Sequence, residues 1–166
     1  MPSQDTLRST LPPRRGTRPA TTPSNPHVQL EQQPVDPAIR EELSRRLFAL
    51  PDVVERSTMI SVPGARALWL RDDVLSGPPE AFMVEREFAH LHPGRDESLH
   101  VCLPPELATE AIAQGWAELH PVARMGYIPK TSVMLYAPRD EDELEVVYQL
   151  VLASYRFAGG HLPAEE

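Results

Sequence analysis

The segment Glu87 to Leu103, EFAHLHPGRDESLHVCL, limits what this chain can fold into more than any other stretch. Two runs of alternating residues flank Pro93-Gly94-Arg95-Asp96-Glu97, a turn composition. The spacing predicts an antiparallel hairpin with residues 93–97 as its loop. A loop of that length pairs His92 with Ser98, His90 with His100 and Phe88 with Cys102. Side chains alternate along a strand, so Ala89, Leu91, Leu99, Val101 and Leu103 share one face, which needs a core over it. His90, His92 and His100 share the other, with Phe88 and Cys102 as its apolar floor. Directly opposed residues hold their Cβ atoms about 5 Å apart, so three imidazoles gather on one surface. A one-residue slip would scatter them.

The rest of the chain supplies elements to cover that sheet. Asp36 and Pro37 open a helix whose Ile39, Leu43, Leu47 and Leu50 fall on one face, and Pro51 stops it. VVERSTMISV and ARALWL read as strands around a turn at Pro63-Gly64, and AFMVEREFAHLHP reads as one long strand. PPELATEAIAQG is a second helix, with Gly115 as the residue just past its end. WAELHPVA is expected to be extended, and TSVMLYAP a strand. Asp140 caps a last helix that buries Leu144, Val147, Tyr148, Val151, Leu152 and Tyr155. Strands mixed with a few helices indicate an α+β fold, a mainly antiparallel sheet with helices packed on one face. The expected organisation is an extended arm over 1–35, a domain over 36–160 and a tail over 161–166.

Composition narrows the function. The net charge is −8, and the body carries all of it, because residues 1–30 hold Arg8, Arg14, Arg15 and Arg18 against a single acid, Asp5. An acidic body argues against a nucleic-acid partner. Cys102 is the sole cysteine, which excludes an internal disulfide and suits a reducing, cytoplasmic setting. MPSQDTLRST has no apolar run of the kind a secretion signal carries, and no stretch nears 18 uninterrupted apolar residues, so no membrane association is expected. Nucleotide-binding glycine motifs, a G-x-S-x-G elbow and C-x-x-C are all missing from the sequence.

The histidines therefore carry the chemistry. His90, His92, His100 and His120 lie within about thirty residues of one another. An imidazole exchanges protons near neutral pH, and three neutral ones on one surface also suit a transition metal. Cys102 beside His100 is better read as a small buried apolar residue than as a nucleophile. Glu85 and Glu87 fall opposite or beside the imidazoles and are expected to be solvated. Arg139, between a strand and a helix, suits either an anionic ligand or an ion pair with the acid run that follows it.

Taken in order, EFAHLHP, SLHVCLPP, GWAELHP and LYAPRDEDELEVVYQLVLASYRFA resemble the core of the fungal luciferase family. The matching features are His90-Leu91-His92, Leu99-His100, Gly115-Trp116 with His120-Pro121, and Tyr136-Ala137-Pro138-Arg139. Gly16-Thr17-Arg18-Pro19, His27 and Gln29 extend the resemblance into the arm. Composition alone reads the arm as disordered; the resemblance implies that it is ordered and helps to form the site. The family's named enzymes oxidise 3-hydroxyhispidin, a hydroxylated α-pyrone, with O2, without an organic cofactor, and release CO2 and light. Many relatives come from organisms that do not glow, so light is not carried over.

The resemblance implies an oxygenase acting on an electron-rich small molecule. His90, His92, His100 and His120 would be its acid–base residues, with His90 or His100 as the base. Arg18, His27, Trp116, Tyr136 and Arg139 would face the substrate. No cofactor beyond O2 is expected. Two alternatives stand beside this reading. One is a metal-dependent oxygenase with His90, His92 and His100 as ligands, and the other is a non-catalytic small-molecule-binding module. Ala117 and Leu119 stand where fungal members tend to carry a glycine and a basic residue, which bears on the substrate more than on the fold.

Overall fold

The computed structural model describes residues 11–58 and 60–163. Four helices, α1 (Pro37–Phe48), α2 (Pro105–Ala113), α3 (Pro121–Arg124) and α4 (Glu141–Phe157), accompany six strands. The strands are β1 (Val53–Ser57), β2 (Arg66–Leu70), β3 (Glu87–Leu91), β4 (Leu99–Cys102), β5 (Ala117–Leu119) and β6 (Ser132–Leu135). They form one antiparallel sheet in the order β1-β2-β3-β4-β6-β5. This is the α+β architecture that the mixed pattern of elements predicts.

The hairpin forms in the expected register. Ala89 faces Val101, His90 faces His100 and Leu91 faces Leu99, and the His92 N–H reaches the Ser98 carbonyl at 3.2 Å. Ala89, Leu91, Leu99 and Val101 enter the core with Leu68, Leu70, Val133 and Leu135. α1 and α4 lie over that face and bury Ile39, Leu43 and Leu47 from one helix and Val147, Val151 and Tyr155 from the other. Burial of a Leu or Val side chain stabilises by about 1.5–3 kcal/mol, so this seam holds the sheet flat against its helices.

Three expectations need correction. A bulge between Leu68 and Trp69 pairs Leu68 with Ala89 but Trp69 with Glu87, which skips Phe88. An extra residue in a strand reverses the facing of what precedes it. Phe88 therefore turns into the helix-covered core, 6.2 Å from the Tyr155 ring, and does not floor the imidazole face. The long strand over 81–93 is interrupted for the same region: Pro79–Ala81 is a 3₁₀ turn, and residues 84–87 make a tight turn with Glu85 at φ 49°. In addition, His120-Pro121 opens α3 rather than continuing an extended segment. The His120 imidazole accepts the Val122 N–H at 3.1 Å, and Pro121 sits where a missing N–H costs nothing.

Residues 11–35 of the arm are ordered and fastened at many points; residues 1–10 of the arm and 164–166 of the tail lie outside the described residues. Its Arg14 N–H bonds the Gln114 carbonyl at 2.9 Å, and Trp116 Nε1 donates to the Pro12 carbonyl at 2.7 Å. Arg18 donates to the carbonyls of Ala117 and Ile112. Residues 20–30 then fold back on themselves through Thr22–Val28 and Leu30–Ala20 backbone bonds of 3.0 and 2.8 Å. Gln29 Oε1 takes the Ala137 N–H at 2.8 Å. The arm thus covers the sheet face that the helices leave open.

Candidate functional site

One row crosses the sheet. Pairing aligns Ala67, His90, His100, Met134 and Glu118 across five strands, and side chains so paired point the same way. His92 lies one residue past the end of β3. The arm's turn adds His27 and the β5–α3 junction adds His120. All five imidazoles are buried, each 3% exposed or less. His100 is the hub, with ring centroids 5.0 Å from His27, 5.0 Å from His90, 4.4 Å from His92 and 4.2 Å from His120.

Carboxylates and hydroxyls fix the rings from outside. Ser98 Oγ donates its only proton to Asp96 Oδ1 at 2.6 Å, so at 2.9 Å it accepts from His92 Nδ1. Asp96 Oδ2 lies 2.9 Å from that same nitrogen. His27 Nε2 donates to Glu118 Oε2 at 2.9 Å, and the other oxygen of Glu118 accepts from Tyr136 and Thr21. Burial pushes Glu118 up, but those donors outweigh it and hold the carboxyl below its ordinary range. Glu87, wholly buried, places Oε2 3.6 Å from His90 Nδ1.

Burial also sets the charge of the rings. It pushes His90 down, with Glu87 pulling partly back. It pushes His100 well below the ordinary imidazole range, a shift deepened by the surrounding imidazoles, and it takes His120 down to about 3. These rings are neutral at neutral pH, so each presents one N–H and one lone pair. Burial likewise lifts the Cys102 thiol to about 11, and Cys102 contacts Ser132 Oγ rather than an imidazole.

His27, His92, His100 and His120 line a cavity of about 320 Å³ completed by Asn25, Pro26, Val28 and Ile60, Ser61 and Val62. A larger groove, about 700 Å³, runs between α1 and α4 and is walled by Glu41, Glu42, Arg45 and Asp142. Its charges pair across the surface and converge on nothing, whereas the imidazoles converge on the smaller cavity.

The residues expected to face substrate divide into two groups. His27 joins the imidazoles, and Tyr136 stands behind it on Glu118. Arg18 and Trp116 fasten the arm. Arg139 clamps Glu143 and donates to the Arg15 carbonyl at 2.8 Å, the ion-pair alternative for that side chain. Three outer partners escaped the sequence reading. Glu87 was expected in solvent, and the bulge instead turns it onto the imidazole face. Asp96 belongs to a loop whose course no periodicity fixes. Glu118 was legible, since it lies two residues before His120 in a strand.

A family model described as the luciferase domain matches residues 85–154, the span from β3 into α4. The chain is 33% identical over 160 residues to a luciferase of Armillaria ostoyae and 32% identical to one of Armillaria mellea, each covering 87% of this chain and 59% of the relative. It is 31% identical over 172 residues to a luciferase of Neonothopanus nambi, across 93% of this chain and 63% of the relative. The chain thus spans about three fifths of the length of these curated relatives. No solved structure matches it.

Proposed function

Because this chain belongs to the luciferase family, we propose that it uses O2 to oxidise an electron-rich small molecule, an enol, α-pyrone or catechol, held beside the five imidazoles. The observation that carries this reading is the cavity of about 320 Å³ bounded by four histidines, of which burial holds His100 and His120 neutral. That volume is at the low end for ligand pockets and suits a single ring system.

The chemistry needs a proton acceptor first. An enol reduces O2 far more readily once it has lost its proton. His100 borders the cavity and is held neutral by burial, so it offers the acceptor lone pair. Charge arriving on His100 is spread through its Nε2–H to His27 Nδ1 at 2.9 Å, and from His27 to Glu118. The enolate carbon then supplies the electron pair of a new C–O bond, O2 is reduced to the peroxide level, and the proton taken from the hydroxyl is returned to the peroxide. His120 accepts the Val122 N–H at Nδ1, so its proton sits on Nε2, where it donates to the developing oxyanion. The arm and the β1–β2 loop keep water away from the intermediate.

The reading is tested by O2 consumption with a hydroxylated α-pyrone. Wild-type protein is expected to consume O2 with the pyrone, and His100→Ala is expected to lower the rate by at least about 100-fold, as removal of an acid–base group does. Equal rates in both proteins would remove the imidazole cluster from the reaction. Pyrone binding with no O2 consumption by wild-type protein would favour a binding module.

A further inference from the structure

The hydrogen bonds around the imidazoles leave one thing unaccounted for. His92 Nδ1 bonds Ser98 Oγ at 2.9 Å, with Asp96 Oδ2 2.9 Å from the same nitrogen, so its Nε2 turns inward. His27 holds Glu118 at Nε2 and meets His100 Nε2 at Nδ1, which leaves His100 Nδ1 turned inward. His90 turns Nδ1 toward Glu87 at 3.6 Å, beyond hydrogen-bond reach, and among the described residues that nitrogen has no hydrogen-bond partner. The remaining nitrogens face one another: His90 Nε2 lies 3.0 Å and His92 Nε2 2.9 Å from His100 Nδ1. An imidazole nitrogen offers one proton or one lone pair, so His100 Nδ1 cannot serve both neighbours, whereas a cation among the three would serve all of them.

A second observation points the same way. The Glu87 carboxylate is fully buried, and among the described residues neither oxygen takes a hydrogen bond. A buried carboxylate without compensation is strongly destabilising. With Asp96 behind His92, two acidic side chains back the nitrogen trio. Imidazoles held at their far nitrogen by carboxylates are the outer arrangement that orients metal ligands.

We propose that His90 Nε2, His92 Nε2 and His100 Nδ1 bind a divalent first-row transition-metal ion. The three nitrogens lie within 4.8 Å of one another, and an all-imidazole set selects zinc, copper, iron or nickel over calcium or magnesium. A second trio, His27, His100 and His120, is equally close. It is not the site, because the His27–His100 contact already holds a proton and His120 Nδ1 is taken by Val122. Three protein ligands leave a position open, and His92 and His100 also border the cavity, so the ion adjoins the substrate space. The proposal rests on the preceding reading only for what that open position receives; a bound ion would take the His100 lone pair that serves there as proton acceptor and would itself acidify a hydroxyl at the open position.

The test uses full-length protein without a histidine tag, stripped with a chelator and titrated with Co2+ and Zn2+. Elemental analysis after desalting is expected to find about one ion per chain, with visible Co2+ absorption and a raised melting temperature. His90→Gln and His92→Gln are expected to lose the ion, while His120→Gln keeps it. Glu87→Gln, which acts through His90, is expected to retain the fold and weaken Co2+ binding about 10–100-fold. Fewer than about 0.1 ion per chain in wild-type protein overturns the site, as does loading that survives both His90→Gln and His92→Gln, or that His120→Gln removes equally. O2 consumption separates this proposal from the previous one. O2 consumption by wild-type protein that takes up fewer than about 0.1 ion per chain overturns the metal alone, and a loaded protein that consumes no O2 overturns the oxidation alone.

Discussion

Single residues in this protein are set by what stands behind them. Glu118 accepts from His27, Tyr136 and Thr21 and so decides which nitrogen of His27 carries the proton. A glutamine there presents an N–H where a donor already points. Glu118→Gln is expected to lower O2 consumption about 10–100-fold, the usual consequence of losing an outer carboxylate, with little change in melting temperature. Unchanged turnover would show that the His27 tautomer is immaterial. Cys102 makes the opposite case. It is fully buried, and burial holds its thiol up at about 11, so iodoacetamide at pH 7.5 should leave folded protein unmodified and label it fully in denaturant. Rapid labelling of the folded protein would place a thiolate at the site.

At the scale of elements, the arm behaves as part of the fold. Glu143 on α4 meets Arg139 from the preceding turn and Arg14 and Arg15 from the arm, with Asp140 beside it. Burial pushes Glu143 up, but Arg139 and then Arg14 outweigh it and hold the carboxyl below 4.5 in the folded chain. A depressed carboxyl stabilises fully above its unfolded value, and that stabilisation is lost as pH falls through the folded one. Proteolysis within residues 11–35 should therefore accelerate as acid protonates that lowered carboxyl, and Glu143→Gln should bring the same susceptibility at pH 7. Protection that is flat with pH would uncouple arm and helix. Gly115, at φ 87°, makes the close turn between α2 and β5 beneath Arg14; Gly115→Ala is expected to destabilise by about 1 kcal/mol in denaturant melts. The elements also differ in how far they could be read. The β3–β4 register followed from loop length and alternation, because each strand had one face to bury. The bulge at Leu68 did not, since an extra residue leaves no mark on composition. The helical turn after His120 had a local signal, an acceptor side chain followed by proline, that a strand reading passed over. The arm has no periodicity, because polar side chains and carbonyls hold it rather than an apolar stripe, and only its resemblance to a family indicated order.

At the scale of the molecule, the sheet separates two tasks. α1 and α4 bury one face and supply stability, which leaves the other face free to carry polar groups under the arm. No helix among the described residues is long and apolar enough to cross a membrane. The imidazoles come from 27, from the 90–100 hairpin and from 120, and no local segment could assemble them. Their proton positions are therefore the most direct statement of the whole fold. Long-range proton–nitrogen NMR correlations of the imidazole rings, recorded with one equivalent of Zn2+, read those positions ring by ring. The account predicts protons on Nδ1 of His90 and His92 and on Nε2 of His27 and His100, with zinc-shifted resonances at the remaining nitrogens of His90, His92 and His100. A proton on Nε2 of His92, or rings that average between tautomers as they do in water, would contradict it.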